Sequence, residues 1–385
     1  MVLSPLLMVF LWNEAVAGVS LDEVPNREWE NVFENDELEY EYKNAAISSK
    51  DTAWIAVGVR PRGQLGGDQN FSFWKININK GVKVSEVNVE DFSQGEGAKT
   101  GYIKIQDLAV TEKGDLLLVL ESSDHQVSLM KVDARKEKTL LATTIGDAES
   151  AVLIMNIIQT TDRKFLLIGR TADGPLMMKV DEDGNIIWKK TVDDESLSIF
   201  LEGVTTGDGG YVLVGNKITI SGEGNIWLGK FDSTGRLLLK KTLTGRYGTI
   251  AKTKESEYAI VYDQMGSAGW NVFLQGLNPD LSGSWSAELL SGVKILSPFK
   301  IASASNGNFI VAGVGESLLS VSRIKRGGEV VWNHIRRDNS ATWEKLWNYD
   351  MLSHSGEFVI PYTMLVVNKQ GEQRQVIKII KFSEN

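Results

Sequence analysis

Histidine and cysteine provide many metal ligands and catalytic nucleophiles, and this sequence has few of either. Of 385 residues none is cysteine, and the three histidines are His125, His334 and His354. The lack of cysteine rules out disulfides, thiolate metal ligands, a cysteine nucleophile and a lipidated-cysteine anchor. So few histidines argue against a histidine-rich metal centre or a catalytic triad. We therefore expect neither a cofactor nor a metal.

An acidic segment at residues 181–185, Asp-Glu-Asp-Gly-Asn, is the one motif that suggests calcium. It lacks the remaining ligands of a calcium loop and the later bidentate glutamate. Asp and Gly are also the residues that tight hairpin turns require, which favours a turn. No G-x-S-x-G, phosphate-binding loop or H-E-x-x-H motif occurs. With 50 acidic residues, a carboxylate pair suited to glycoside hydrolysis stays open.

Arginine and tryptophan, the types enriched at binding hot spots, are concentrated in three parts of the chain. The predicted binding residues, with their polar neighbours, are Arg60, Arg62, Asp68, Trp270, His334, Arg336, Arg337, Trp343 and Trp347. In the alternative interpretation, Trp343 and Trp347 pack inside the fold and the arginines are solvated.

A repeated unit must position these residues. In its clearest copy, Gly-Gly-Tyr-Val-Leu-Val-Gly at 209–215 precedes Ile-Trp-Leu-Gly-Lys-Phe-Asp at 226–232. Seven copies align at Trp54, Leu116, Phe165, Tyr211, Tyr258, Phe309 and Phe358. A period of about 50 residues is typical of β-propeller blades. Short apolar runs between Gly, Asp and Asn predict strands, and no segment has helical periodicity. The sequence predicts an all-β, seven-bladed propeller of four-stranded antiparallel blades.

The clearest copy also predicts the strands of its blade: an inner strand at 201–206, then 211–215, 226–232 and an outer strand at 236–242. The last copy lacks an outer strand, whereas residues 28–33 resemble one that no earlier copy owns. We expect this N-terminal strand to complete the seventh blade and close the ring, which removes the open sheet edge. Trp188, Trp285 and Trp332 recur at one outer-strand position, which predicts packing.

The repeat also places the predicted binding residues. Connectors from an outer strand to the next inner strand share a propeller face with the loops between second and third strands. Residues 334–347 are expected in the connector between the sixth and seventh blades, with the other candidates on the same face. Loops on a rigid scaffold commonly carry function.

The segments Lys-Val-Asp-Glu-Asp-Gly-Asn-Ile-Ile-Trp-Lys at 179–189 and Lys-Phe-Asp-Ser-Thr-Gly-Arg-Leu-Leu-Leu-Lys at 230–240 resemble PQQ-like and WD40-like repeats of exported bacterial propellers. A weaker copy lies at 323–332. The resemblance implies the fold and says little about function. Quinoprotein enzymes of this type usually have eight blades, and the related outer-membrane assembly propeller is anchored through a lipidated cysteine. Seven copies and no cysteine argue against both.

The N-terminal sequence and the net charge limit which classes of protein remain possible. Residues 1–12 are almost wholly apolar and precede Ala-Val-Ala at 15–17, which predicts a signal peptide at 1–17 and one propeller domain at 18–385. We therefore expect a secreted or periplasmic protein. A net charge of −9 argues against a nucleic-acid partner. No segment is long enough to span a bilayer as an apolar helix. We expect a monomer.

Two functions remain open. The first is a non-catalytic scaffold that recognises a protein or glycan through its loop face or channel mouth. The second is a propeller hydrolase or lyase that acts on a carbohydrate or another small polar substrate. Converging carboxylates at the channel would favour the enzyme, whereas a broad surface rich in tryptophan and arginine would favour the scaffold.

Overall fold

A computed structural model describes most of the chain after residue 26. The described ranges are 27–35, 37–49, 51–62, 70–88, 102–122, 124–133, 135–136, 138–194, 198–217, 224–253, 257–267, 269–293, 299–304, 307–315, 318–337, 346–354, 357–367 and 373–383. These residues form strands and turns, and none of them belongs to a helix that could cross a membrane. The predicted signal peptide at 1–17 lies outside the described residues.

The strands form seven antiparallel sheets, and each of the first six takes four consecutive strands in chain order. β1 (Arg27–Phe33) precedes them. Blade one contains β2 (Leu38–Ser49), β3 (Thr52–Pro61), β4 (Asn70–Asn77) and β5 (Val82–Asn88). Blade two contains β6 (Tyr102–Val110), β7 (Leu116–Ser122), β8 (Val127–Asp133) and β9 (Lys138–Gly146). Blade three contains β10 (Leu153–Gln159), β11 (Phe165–Thr171), β12 (Gly174–Val180) and β13 (Ile186–Thr191).

The next three blades repeat this order. Blade four contains β14 (Ile199–Thr205), β15 (Tyr211–Asn216), β16 (Asn225–Phe231) and β17 (Leu237–Thr244). Blade five contains β18 (Arg246–Lys252), β19 (Tyr258–Gly266), β20 (Gly269–Leu277) and β21 (Gly283–Val293). Blade six contains β22 (Lys300–Ser303), β23 (Phe309–Gly315), β24 (Leu318–Ile324) and β25 (Val330–Arg337). The sheets are arranged as a seven-bladed propeller, as the repeats predict.

The seventh blade joins the two ends of the chain. Its inner position is divided between β26 (Leu346–Tyr349) and β27 (Leu352–His354), followed by β28 (Glu357–Val367) and β29 (Gln373–Ser383). β1 pairs with β29 and is the outer strand, so the predicted closure is confirmed. The inner strand is interrupted opposite Pro361, to whose carbonyl Asp350 N–H donates at 3.2 Å. Proline has no N–H to return a ladder bond, which accounts for the break.

The described residues form seven hydrophobic clusters, one between each pair of adjacent blades. The second strands carry much of this packing, and every residue of β15 is buried. Such strands meet a neighbouring blade on both faces, so an unbroken apolar run replaces the alternating pattern of half-exposed strands. One cluster joins Tyr42 and Trp74 of blade one to Ile377 and Ile379 of blade seven.

Candidate functional site

Seven equivalent positions on the inner strands place polar side chains around the central channel. Six of them pair with the middle of the second strand in their own blade, and the seventh follows β26. These residues, which we call the channel ring, are Asn44, Asp107, Asn156, Glu202, Thr249, Lys300 and Asp350. Glycines or apolar residues could close a channel, so a polar residue in every blade indicates a solvated or ligand-bearing interior.

β-Bulges set the direction of the channel ring. In blades one to four the pairing register shifts by one residue immediately before the ring position, at Lys43, Gln106, Met155 and Leu201. An extra residue in one strand re-aims the next side chain, and bulges are frequent beside functional sites. Asn44, Asp107, Asn156 and Glu202 all line the resulting cavity.

Asp107 links three blades. One carboxylate oxygen accepts hydrogen bonds from Asn44 Nδ2 at 2.6 Å and Leu108 N at 2.9 Å, and the other accepts from Ile157 N at 2.5 Å. Burial raises the pKa of Asp107 to about 7, although the two backbone N–H groups favour its ionised form. Asp107 therefore both fastens the inner strands and changes charge near neutral pH.

Lys300, Glu202 and Asp350 are the other charged groups of the ring. The Glu202 carboxylate raises the pKa of Lys300 above its ordinary value, against the effect of burial. Burial raises the pKa of Glu202, and Lys300 opposes that change. Lys300 Nζ lies 3.9 Å from Asp350 Oδ1, which also accepts from Met351 N at 2.8 Å. Glu202 Oε2 is buried and has no hydrogen-bond partner among the described residues.

The channel ring encloses a cavity of about 240 Å³. Its lining includes Asn44, Asp107, Asn156, Glu202, Lys300 and Asp350. Thr249 instead fastens blade five to blade six, because its hydroxyl donates to Phe299 O at 2.8 Å. No three His, Cys, Asp or Glu side chains in the described ranges are arranged to hold a metal ion. The cavity can therefore offer a ligand carboxylate acceptors, amide groups and one ammonium donor.

Arg60 and Arg62 occupy the end of β3 and the turn after it. Arg60 Nε donates to Glu39 Oε2 at 2.8 Å, and both side chains are largely shielded from solvent. Arg62 N–H donates to Glu37 O at 2.8 Å. Both arginines lie on the propeller face that bears the outer-to-inner connectors, which we call the connector face. Asp68 and Trp343, also predicted there, lie outside the described residues.

Trp270 lies at the start of β20, also on the connector face. The guanidinium carbon of Arg246 is 3.2 Å from the centre of its indole ring, and Arg246 Nε donates to Asp263 Oδ2 at 2.9 Å. Burial raises the pKa of Asp263 to about 6, although Arg246 opposes this. Trp270 belongs to blade five and Arg60 to blade one, so the structure distributes these two candidates over non-adjacent blades.

His334, Arg336 and Arg337 are not in the connector where the sequence analysis placed them. All three belong to β25, the outer strand of blade six, and Trp347 belongs to β26. The outer strand runs longer than predicted because each of these residues still pairs with β24. The His334 ring lies 5.8 Å from the ring of Phe382 in blade seven, which is a contact between blades.

Residues 181–185 form the turn between β12 and β13, as predicted. Asp181 Oδ1 accepts from Asp183 N at 2.9 Å and Asn185 N at 2.8 Å. Asp183 Oδ1 is 2.8 Å from Lys131 Nζ of blade two. The acidic side chains thus shape the turn and bind the neighbouring blade.

The channel ring was missed because the strand pattern was read from apolar residues. A usable signal was present. In blades two to six a polar residue stands nine positions before the first residue of the second strand, as Asp107 does before Leu116. Comparing that one position across the copies would have revealed a polar residue in each of them, three of which are charged.

The fold resembles solved propellers at low sequence identity. Polysaccharide lyase Uly1 matches with a TM-score of 0.53 and 9% identity, covering 96% of this chain and 94% of that chain. A protein of unknown function from Dyadobacter fermentans matches with a TM-score of 0.51 and 10% identity, covering 93% and 99%. Drosophila Plexin A, in complex with Semaphorin 1b, matches at 0.50 and 6%, covering 94% and 88%.

At such identities these similarities show the propeller fold alone. No protein-family model matches the sequence, and no curated protein matches it. The neighbours support a likeness to uncharacterised propeller proteins. Membership of a PQQ-like or WD40-like family stays a prediction.

Proposed function

We propose that the protein is a non-catalytic carbohydrate-binding propeller that holds one sugar unit in its central channel. The observation that carries the proposal is the buried Glu202 Oε2, to which no residue in the described ranges donates a hydrogen bond, beside a cavity lined by Lys300 and Asp350. Buried polar atoms in native proteins nearly always have a partner, so an orphaned acceptor indicates that a ligand supplies the donor.

The chemistry of the cavity favours a sugar. A sugar hydroxyl both donates and accepts, so it can bind a carboxylate such as Glu202 and an ammonium such as Lys300 in one pose. The cavity of about 240 Å³ is smaller than the ~300–1,000 Å³ of typical drug-sized sites. It therefore suits a single small unit, and a longer glycan would extend from the channel mouth.

The proposal also assigns a binding role to the connector face. Residues predicted from the sequence as binding residues, Arg60, Arg62, Asp68, Trp270, Arg336, Arg337, Trp343 and Trp347, would contact a longer glycan that passes through the ring to the connector face, because the cavity itself extends from the ring toward the opposite face. Substitution of Arg336 and Trp343 together by Ala would then weaken binding of an oligosaccharide more than binding of a monosaccharide.

The proposal is tested with Glu202→Gln. We expect affinity for neutral monosaccharides, measured by calorimetry, to fall about tenfold, because hydrogen bonds to charged groups contribute about 1.5–3 kcal/mol. The melting temperature should fall, because buried Lys300 loses the carboxylate that most favours its charged form and keeps Asp350 at 3.9 Å, so affinity is measured well below the melting temperature of the variant. Glu149→Gln, on an exposed turn, is the matched control. Equal affinities for wild type and Glu202→Gln would place the sugar elsewhere.

A hydrolase or lyase acting on the same sugar is the second candidate. The observation in its favour is that burial raises the pKa values of both Asp107 and Glu202, as in carboxyl groups that act as general acids. Mass spectrometry of an oligosaccharide incubated with the protein separates the candidates. Products that disappear in Glu202→Gln would establish the enzyme, and an unchanged oligosaccharide would leave the binding protein.

A further inference from the structure

A second group of residues, on the connector face of blade five, forms a fixed guanidinium fork. Arg246 Nε donates to Asp263 Oδ2 at 2.9 Å, and Asp263 is 3% exposed. The guanidinium carbon lies 3.2 Å from the centre of the Trp270 ring and 4.9 Å from that of Tyr247. One ion pair and two aromatic rings therefore hold Arg246 in a single orientation.

The fork keeps unused binding capacity. Arginine has five N–H donors, and Nε uses one of them on Asp263. No acceptor within the described ranges bonds to the four donors on the terminal nitrogens, and the side chain remains 21% exposed. A planar pair of terminal nitrogens matches the two oxygens of a carboxylate or phosphate.

The backbone at this place is strained. Tyr247 has φ of +52°, in the left-handed region, and its side chain is 44% exposed. The pairing register with β19 shifts between Arg246 and Thr249, where this conformation occurs. The Asn216 side chain holds it: its amide nitrogen donates to Gly215 O at 2.9 Å, and its amide oxygen accepts from Tyr247 N at 3.1 Å. Left-handed aromatic residues cost about 1–3 kcal/mol and are concentrated at ligand sites.

We propose that Arg246 is an oxyanion subsite on the connector face, where the carboxylate or phosphate group of an acidic sugar binds the terminal nitrogens of the fork. The inference goes beyond the proposed function, because Arg246 begins the inner strand of blade five on the connector face, whereas the cavity extends from the channel ring toward the opposite face. Asp263 keeps the guanidinium in plane, Trp270 and Tyr247 support it, and the ligand completes its hydrogen bonds.

The test compares three probes by calorimetry: D-glucose, D-glucuronate and D-glucose 6-phosphate. We expect at least one acidic sugar to bind about tenfold more tightly than glucose, and the better of the two identifies the anion. The double variant Arg246→Gln/Asp263→Asn removes both charges, so it leaves no buried unpaired carboxylate. In this variant the preference should shrink to about twofold, with glucose affinity and melting temperature unchanged.

Tyr247→Gly provides a second variant that relieves strain. Glycine adopts a positive φ freely, so we expect its melting temperature to equal or exceed that of wild type. The preference for the acidic sugar should nevertheless fall, because one ring no longer supports the fork. A merely structural Tyr247 would leave the preference intact.

The outcomes separate the two proposals. Glucose binding that depends on Glu202, with no preference for an acidic sugar, would overturn the oxyanion subsite and support the channel site. A preference that depends on Arg246 and not on Glu202 would support the subsite, and glucose binding that does not depend on Glu202 would overturn the channel site. Binding of none of the three probes would overturn both.

Discussion

At the residue scale, burial is the main cause of the raised pKa values of the carboxyl groups in the channel ring. Asp107 accepts three hydrogen bonds and still has a pKa near neutrality, because its removal from water outweighs them. Glu202 and Asp263 change in the same direction for the same reason. Solvent-exposed turn carboxylates behave oppositely: hydrogen bonding to Thr234 lowers the pKa of Asp232 to about 2.

The raised pKa of Asp107 predicts how stability depends on pH. Below pH 4 the carboxyl is protonated in both folded and unfolded chains, whereas between about pH 4 and 7 only the unfolded chain ionises. The contribution of Asp107 therefore lowers the free energy of unfolding as pH rises through this window, by on the order of 4 kcal/mol, and then levels off. Urea unfolding from pH 4 to 8 measures the effect.

Asp107→Asn is the comparison for that measurement. Its amide cannot ionise, so the slope due to residue 107 should vanish, while Glu202 and Asp263, whose pKa values are also raised, keep contributions of the same sign. The variant is expected to be less stable than wild type at pH 5, because its NH₂ group faces the Ile157 N–H that Asp107 accepts. Parallel pH profiles for the two proteins would contradict the assignment.

At the element scale, blades three and five each pack on the next blade through a tryptophan that lies against a turn. Trp188 of β13 meets the turn of blade four at Gly235, where an added Cβ would lie 2.9 Å from the indole. Trp285 of β21 similarly meets the turn of blade six at Gly328, at 3.3 Å. Trp332, at the same strand position, is 3% exposed. The recurring tryptophans thus pack between blades, as their spacing predicts.

Two glycines with similar backbone angles allow the cost of backbone strain to be measured separately from the cost of crowding. Gly114 has φ of +83° and an added Cβ meets no atom within 4 Å, whereas Gly235 has φ of +78° and Trp188 beside it. We expect Gly114→Ala to cost about 1–2 kcal/mol of stability from backbone strain alone. Gly235→Ala should cost a further ~1–3 kcal/mol because the methyl group crowds the indole.

Urea unfolding of both variants measures the difference in the free energy of unfolding. Trp188→Leu, combined with each glycine variant, completes a double-mutant cycle. In that background the extra cost at Gly235 should largely disappear, while the cost at Gly114 stays the same. Equal losses for the two glycine variants in the wild-type background would show that the indole does not constrain the turn.

The sequence predicted the strands of the propeller well, but it did not predict the channel ring. Five second strands begin at the residue at which their copies align, among them Phe165 and Tyr211. The repeated apolar run fixes these strands, since burial between blades demands it. The bulges at Gln106 and Leu201 leave no apolar signature, and the charges they aim inward are separated by about 50 residues. For the same reason β25 was predicted too short and His334 was placed in a connector.

At the scale of the whole molecule, the ring depends on one strand from the other end of the chain. β1 pairs with β29, and Lys378, which is nearly buried, forms an ion pair with Glu30. β1 also reaches blade one, where Asn31 Nδ2 donates to Gly81 O at 2.9 Å and the Phe33 ring lies 5.5 Å from the Trp74 ring. The closing strand therefore stabilises two blades and the interface between them.

Deletion of residues 26–34 should greatly lower the melting temperature of the entire propeller. The deletion exposes the edge of β29, leaves Lys378 without Glu30 and opens the cluster between blades one and seven. Val32→Ala keeps the strand and trims a side chain that is 46% exposed, so it should lower the temperature only slightly. Calorimetry measures both.

A synthetic peptide of residues 26–34 should restore stability to the deletion variant in proportion to the logarithm of the peptide concentration, because the peptide binds the folded ring and not the unfolded chain. An unchanged melting temperature after deletion would show that six blades and an incomplete seventh suffice, and that pairing between the two ends of the chain does not hold the ring closed.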